Sequence, residues 1–391
     1  MSLRRTLGVI ALVYVVEGWP MGVFRDVWPV YFRDHGVSLQ TIGYVSGLYI
    51  AWSLKVLWSP LVDRFGERRS WITGALLVMA AALAAMAWRA PQPDALLWLV
   101  LAVFCAASAT QDVAIDAYTI GLVARGEEGP ANAVRIAAYR VGLLAAGGGL
   151  LLLPSRAGWP ATWGAAALVA LVFAVSVRAA PRAEVPPDAR RDLGSALRRW
   201  ISRPGARDVL LFVLLYRIGD LAMAPMLKPF WVDRGASHDE IALVSTTLGM
   251  GATIAGAAVG GLLVARRGIG SALVVVGILA LASNLGYALA AAAPGSGAAG
   301  LYSASLVESA SSGLASAAFL AFLMRICEKE HAAVQYAALT ALYALPGTVA
   351  GALSGRAVEL AGYASYFAAT AVLALPAFLV LPRARAWLDD D

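Results

Sequence analysis

Two stretches decide the fold: YFRDHGVSLQTIGYVS (31–46) and FWVDRGASHDEIALVS (230–245). They align at an offset of 199, matching Asp34 with Asp233, Gly36 with Gly235, Ser38 with Ser237, Ile42 with Ile241 and Ser46 with Ser245. Each opens at the end of one apolar run and leads into the next, so each marks the same corner of a repeated unit. Working outward, apolar runs fall at 6–32, 40–60, 71–88, 95–123, 131–153, 160–177, 208–232, 240–264, 270–292, 298–325, 333–354 and 362–381. These lengths suit the roughly 20 residues of a bilayer-crossing helix. The two corners follow runs one and seven, so each unit holds six runs. An even number returns the chain to its starting side, and the repeat is parallel. The expectation is an all-α membrane protein with twelve transmembrane helices: a six-helix bundle over 1–177, a cytoplasmic linker over 178–207 and a second six-helix bundle over 208–391.

Composition agrees. Of 391 residues, 60% are hydrophobic and 14% are charged, against about half and about a quarter in soluble domains. A large catalytic domain outside the membrane is excluded. Membrane-spanning strands are excluded too, because the runs are continuous and too long. MSLRR and the run behind it lack a small-x-small cleavage site and read as an uncleaved first helix.

The net charge of +6 reflects 28 Arg and 3 Lys against 25 acids. In this setting it encodes topology, and no nucleic-acid partner is expected. With both termini inside, twenty basic residues occupy inner loops and tails. Only five (Arg33, Arg89, Arg156, Arg234, Arg356) lie outside, which predicts N-in, C-in. The polar stretch 178–207 reads as a connector, with a surface helix over Asp192–Ser202.

Ionisable groups within a bilayer are costly and face a cavity or each other. Here the acids are Glu17, Asp112, Asp116, Asp220 and Glu308, and the bases are Lys55, Arg140, Arg217 and, nearer the outside, Lys228. Runs three, six, nine and twelve have no charge in their interiors, which suits a fold in which they face lipid while runs one, four, seven and ten line a central polar path. Asp112 and Asp116, four apart, share one helix face. Neighbouring carboxylates cannot both ionise cheaply, which makes Asp112 and Asp116 the foremost candidates for proton coupling, and with five acids against three deep bases Asp220 and Glu308 are candidates too. Asp112 or Asp116 could instead pair permanently with Arg140, and Arg217 with Asp220, three apart, could satisfy each other. Buried arginine suits a substrate carboxylate or phosphate. The candidate substrate contacts are Glu17, Trp19, Lys55, Gln111, Tyr139, Arg140, Tyr216 and Arg217. Breaks are expected in run one at Gly18, Pro20 and Gly22, and in run seven at Pro225 and Pro229.

Gly256 with Gly260, and Gly347, Gly351 and Gly355, read as helix-packing series. GMGATIAG (249–256) lies mid-membrane, and no Gly-Lys-Ser/Thr occurs, so no nucleotide loop is expected. His35, His238 and His331 lie in loops without a metal-ligand cluster. Lacking any nucleophile–base constellation, the chain reads as a non-enzyme without cofactor or metal.

The stretches EGWPMG (17–22), KVLWSPLVDR (55–64), ATQDVAIDAY (109–118), AYRVGLLAAGGG (138–149), LYRIGD (215–220), ASNLGY (282–287) and VESASSGLASAAFLAFLM (307–324) resemble the bacterial muropeptide permease (AmpG-type) family of the major facilitator superfamily. SPLVDRFGERR (59–69) looks like that superfamily's signature loop, with Ser59 in place of its first glycine. This resemblance implies gating roles for Asp63, Arg64 and Arg68. The second-half copy, GGLLVARRG (260–268), keeps arginines but not the aspartate.

The resemblance implies proton-driven import of anhydro-muropeptides through the bacterial inner membrane by alternating access, for peptidoglycan recycling. The partners are then a small-molecule substrate, protons and the lipid bilayer, with the protein acting as a monomer. Typical members carry about two further C-terminal helices, whereas this sequence ends at LDDD in the short form also seen in siderophore-importing relatives. An importer of siderophores or another amphipathic metabolite is the runner-up, and a non-transporting sensor a remote third.

Overall fold

The computed structural model describes residues 2–389 except 90, 124–126, 183–197, 199, 294, 296 and 329–331. Every regular element among the described residues is helical. Nine helices there are long and apolar enough to cross a membrane. We label as α1 Leu3–Asp34, α3 Arg68–Ala87, α4 Ala95–Ile120, α6 Pro154–Ala179, α7 Ala206–Asp233, α8 His238–Arg267, α9 Ile269–Ala292 and α10 Gly297–Arg325. The ninth, Ala338–Leu388, spans 51 residues, about 76 Å at 1.5 Å per residue. That is enough for two crossings of a ~30 Å core. It comprises most of α11 (Ala332–Leu373), kinked at Gly362, and α12 (Leu375–Asp389). Two elements complete the set. α2 (39–64) is divided into Leu39–Gly47, Ile50–Leu54, a 3₁₀ turn at Lys55–Leu57 and Ser59–Arg64, and α5 joins Glu128–Leu144 to a π-turn at Ala145–Gly149. This arrangement is consistent with twelve spans.

The described chain forms two compact units. Unit 1 holds 1–41, 48–189 and 235–246; unit 2 holds 42–47, 190–234 and 247–391. Each therefore includes a short segment from the other half of the sequence. The expected linker helix falls largely on 183–197 and 199, outside the described residues.

Unit 1 packs around Trp28, Trp163, Tyr14, Tyr118, Phe32 and Phe104, and unit 2 around Trp231, Tyr287, Phe212, Phe319, Phe322 and Phe367, all less than 2% exposed. Close helix approach relies on missing side chains. A Cβ on Gly18 would come within 2.1 Å of the Tyr139 carbonyl oxygen, and one on Gly256 within 2.1 Å of that of Ala310. A Cβ on Gly347 would come within 2.6 Å of Leu221, and one on Gly351 within 3.0 Å of Ser46 and 3.1 Å of Pro225.

The repeated corner closes the same way in both units. Gly36 and Gly235 adopt φ of 72° and 75°, a left-handed conformation that glycine enters without a Cβ penalty. Just before them, Asp34 accepts the Trp159 indole N–H at 2.6 Å, and Asp233 accepts the Tyr363 hydroxyl at 2.8 Å. Both aromatic donors directly follow a glycine at positive φ, Gly158 and Gly362.

The helix breaks depart from expectation. α1 stays α-helical through Gly18, Pro20 and Gly22 and loosens into a π-turn only at Val23–Val27. Pro20 has no N–H to offer the carbonyl four residues back, but Gln111 of α4 donates its side-chain amide to that Val16 oxygen at 3.2 Å. Because the freed acceptor finds a donor, the helix continues. α7 breaks at Tyr216–Arg217, upstream of Pro225 and Pro229, both of which lie within its helical second part.

Candidate functional site

Three acids and two bases of unit 1 converge on one face. Asp112 and Asp116 of α4 and Glu17 of α1 place carboxylate oxygens within 4.8 Å of one another. Lys55 pairs with Asp112. Asp116 accepts the Tyr14 hydroxyl at 2.8 Å and an Arg135 guanidinium N–H at 2.9 Å. The same guanidinium lies over the Tyr14 ring, 4.8 Å from its centroid, an attraction of cation for π-face. Lys55 and Asp112 side chains are 30% and 15% exposed, Arg135 and Asp116 44% and 36%. Charged groups in membrane-spanning helices that keep this much accessible surface face water rather than hydrocarbon.

Local sequence explains the convergence. Tyr14 precedes Glu17 by three residues and so shares its side of α1, as Asp112 and Asp116 share a side of α4. Lys55 opens the 3₁₀ turn of α2. Two cations thus meet three carboxylates. Glu17, Asp112 and Asp116 could together ligate a cation, but Lys55 and Arg135 already occupy two of them, leaving room for one more positive charge.

Unit 2 has a separate polar group. Arg217 donates to Asp220 at 2.9 Å, to Ser316 at 2.9 Å and to Ser312 at 3.3 Å. These contacts tie the break in α7 to α10. A small crevice adjoins it, lined by residues including Tyr216, Arg217, Asp220, Gly277, Asn284 and Phe378. Glu308 is half-buried on α10, one turn before Ser312, and accepts weakly from Ser309 at 3.5 Å.

Several candidates sit elsewhere than expected. Arg140 forms no ion pair among the described residues, and Arg135 is the arginine that holds Asp116. Trp19 is buried against Phe173, 5.9 Å between centroids, inside unit 1. Gln111 is wholly buried and serves the Val16 carbonyl. Tyr216 is buried, donates its hydroxyl to the Leu273 carbonyl at 2.7 Å and stacks on Phe319. Arg217 is buried and held by its own partners at the edge of the crevice. Tyr139 is half-buried on α5, with its backbone against Gly18.

In the signature loop, the Asp63 side chain lies outside the described residues, Arg64 is exposed over Phe65, and Arg68 is buried. Glu67 does the joining there. It accepts from Arg69 at 2.9 Å and Arg182 at 2.7 Å and pairs with Arg178 at 3.5 Å. The Arg69 hydrogen bond, with the charges of Arg69 and Arg182, holds its carboxyl below the usual range. Sequence reading passed over Glu67 and Tyr14. The spacing of Tyr14 from Glu17 was the available signal for the latter.

Comparison places this architecture among known proteins. The Major Facilitator Superfamily profile matches residues 10–351. The anhydromuropeptide permease of Escherichia coli K12 is 32% identical, over 97% of this chain and 80% of its own length. A protein described as putative transporter AmpG 4 of Rickettsia conorii is 27% identical over 95% of this chain and 94% of its own. Among solved structures, a bacterial homolog of the human lysosomal transporter Spinster, inward-facing and occupied, superposes with a TM-score of 0.77 at 14% identity, covering 97% of this chain and 96% of that one. The nucleoside transporter NupG gives 0.73 at 15% identity with full coverage of both chains. These two similarities establish the fold alone. With two repeated corners, helical membrane spans and these sequence matches, the chain belongs to the major facilitator superfamily and, within it, to the AmpG-type permease family.

Proposed function

We propose that the protein imports anhydro-muropeptides into the cytoplasm, driven by protons, through alternating access of its two six-helix halves, 1–177 and 208–391. The observation that carries this reading is the cluster of three carboxylates against two cations on the open face of unit 1, in a chain 32% identical to an anhydromuropeptide permease. The cluster takes up one further positive charge, and a proton is the smallest that either side of the membrane can deliver. A proton crossing 100 mV carries about 2.3 kcal/mol. That energy becomes useful when the group binding the proton faces each side in turn. The 20-to-5 bias of basic residues supports cytoplasmic termini in the bacterial inner membrane, with Asp63, Arg64 and Arg68 at the inner mouth. The working unit in this reading is a monomer.

The test is uptake of labelled anhydro-muropeptide into proteoliposomes under an imposed proton gradient. Accumulation that collapses with a protonophore supports the reading. Uptake indifferent to the gradient overturns the coupling. Transport of ferric siderophore in preference to muropeptide overturns the substrate. Asp112→Asn and Asp116→Asn are expected to lose gradient-driven accumulation while retaining counterflow exchange. If both accumulate normally, coupling resides at Asp220 or Glu308.

A further inference from the structure

One aromatic group borders the charged cluster without belonging to the core. Tyr49 and Trp52 of α2 stack at 5.4 Å between centroids with 25° between planes. Phe24 of α1 buttresses them, 5.4 Å from Trp52 at 56° and 6.2 Å from Tyr49. Phe24 is buried, but Tyr49 and Trp52 both stay half-buried, unlike Trp28 and Trp163, which are sealed inside the same unit. Among the described residues, the Trp52 indole N–H has no hydrogen-bond partner; those of Trp19, Trp28 and Trp163 lack one too but are buried inside the unit, while Trp58 donates to Thr110 and Trp159 to Asp34. A tryptophan that serves only packing is covered, as Trp28 and Trp163 are. This one keeps both surface and donor available.

Its position is equally specific. Trp52 precedes Lys55 by three residues, so the two side chains are neighbours on one side of the helix. Lys55 in turn holds Asp112, beside Glu17 and Asp116. The whole stretch lies where α2 gives up regular α-geometry, passing from Ile50–Leu54 into the 3₁₀ turn Lys55–Leu57. Mid-helix 3₁₀ geometry often marks a functional hinge. A flat electron-rich surface with a free donor at its edge therefore adjoins a group of carboxylates and an ammonium.

The geometry points to Trp52, supported by Tyr49, as the platform for the sugar ring of the cargo, and so as the residue that makes the carrier select sugar-bearing substrates. The inference rests on the proposed function and assigns one part of the substrate to one part of the site. A pyranose ring has a face of C–H groups with slight positive charge, which suits the negative face of an aromatic ring. Its edge carries hydroxyls that both donate and accept. The carboxylates of Glu17 and Asp112 accept such hydrogen bonds, while Lys55 and the Trp52 N–H donate them. A peptide backbone has no comparable apolar face, and a small anion has no hydroxyl donors for an acidic cluster. The two halves of a sugar-peptide would thus be recognised by different groups.

The experiment measures proteoliposome uptake of labelled anhydro-muropeptide in competition with two unlabelled probes: its sugar portion without peptide, and its peptide portion without sugar. In the Trp52→Leu variant, the inhibition constant of the sugar portion is expected to rise about ten-fold, the factor that ~1.4 kcal/mol of lost stacking produces. The peptide portion should inhibit as in wild type. Trp52→Phe, which keeps a ring and loses the N–H, should fall between the two. It also serves as the folded control if Trp52→Leu does not assemble. Equal weakening of both probes, or no change in either, overturns the assignment and leaves Trp52 a packing or lipid-facing residue. If wild-type protein takes up the muropeptide but its sugar portion does not compete, this inference fails alone. If wild type does not take up the muropeptide at all, the proposed function fails first.

Discussion

Arg135 and Arg140 lie five positions apart on α5, about 140° around the helix at 100° per residue, so only one of them can face α4. The structure selects Arg135, which grips Asp116 together with Tyr14. Arg135→Ala should therefore cut uptake by about ten-fold or more, the range for stranding a charge whose partner remains, while Arg140→Ala should cost under about three-fold; initial uptake rates decide. The sequence made the acids legible, because two carboxylates four apart in an apolar helix are unmistakable, but it could not name their partners. Period fixes which residues share a side of one helix, while the rotation of its neighbour depends on packing from several elements at once. Glu67 makes a second point about charge. Its carboxylate, held below the usual range by the Arg69 hydrogen bond and nearby charges, stabilises the folded protein when ionised. That contribution is present above the unfolded carboxylate pKa, about 4.3, and disappears as pH falls through the lowered folded value. Glu67→Gln should accordingly lower the melting temperature at pH 7, and the gap from wild type should close in the acid range.

At the scale of elements, the approach of α1 to α5 is set by absent atoms. Gly18→Ala would drive a methyl against the Tyr139 carbonyl and should cost about 1–3 kcal/mol, as overpacking does. Gly8→Ala, at a position with nothing within 4 Å, should leave stability unchanged or slightly raised. Thermal unfolding in detergent separates the two, and an equally stable Gly18→Ala would show that the helices can part without cost. Glycine spacing and the six-run units could be read from the sequence. The location of the breaks could not, since whether a proline interrupts a helix depends on what donor its surroundings offer the orphaned carbonyl. Gln111 supplies that donor to Val16, and nothing near Pro20 in the chain announces it.

At the scale of the molecule, each unit incorporates a segment from the opposite half of the chain, 42–47 in one case and 235–246 in the other. Their attachments differ in kind. Gly43 lies against the backbone of Ala352 and Gly355, a seam of close backbone approach. Asp239, by contrast, accepts from Arg156 at 3.0 and 3.1 Å and from Ser155 at 3.0 Å, while His238 lies 3.5 Å from Asp34. Arg156→Glu should alter turnover, and adding Asp239→Arg should restore it by rebuilding the pair with exchanged signs. Failure of the double variant to recover would remove any role for this contact in the transport cycle. The reciprocal inclusion has a further consequence, one of manufacture. Were the protein made as two polypeptides divided between 182 and 198, neither could finish its own unit, since each would lack a piece carried by the other. Synthesised separately, each fragment should be cleared by cellular proteases; synthesised together, they should protect one another and restore uptake, the covalent connection having been needed for neither.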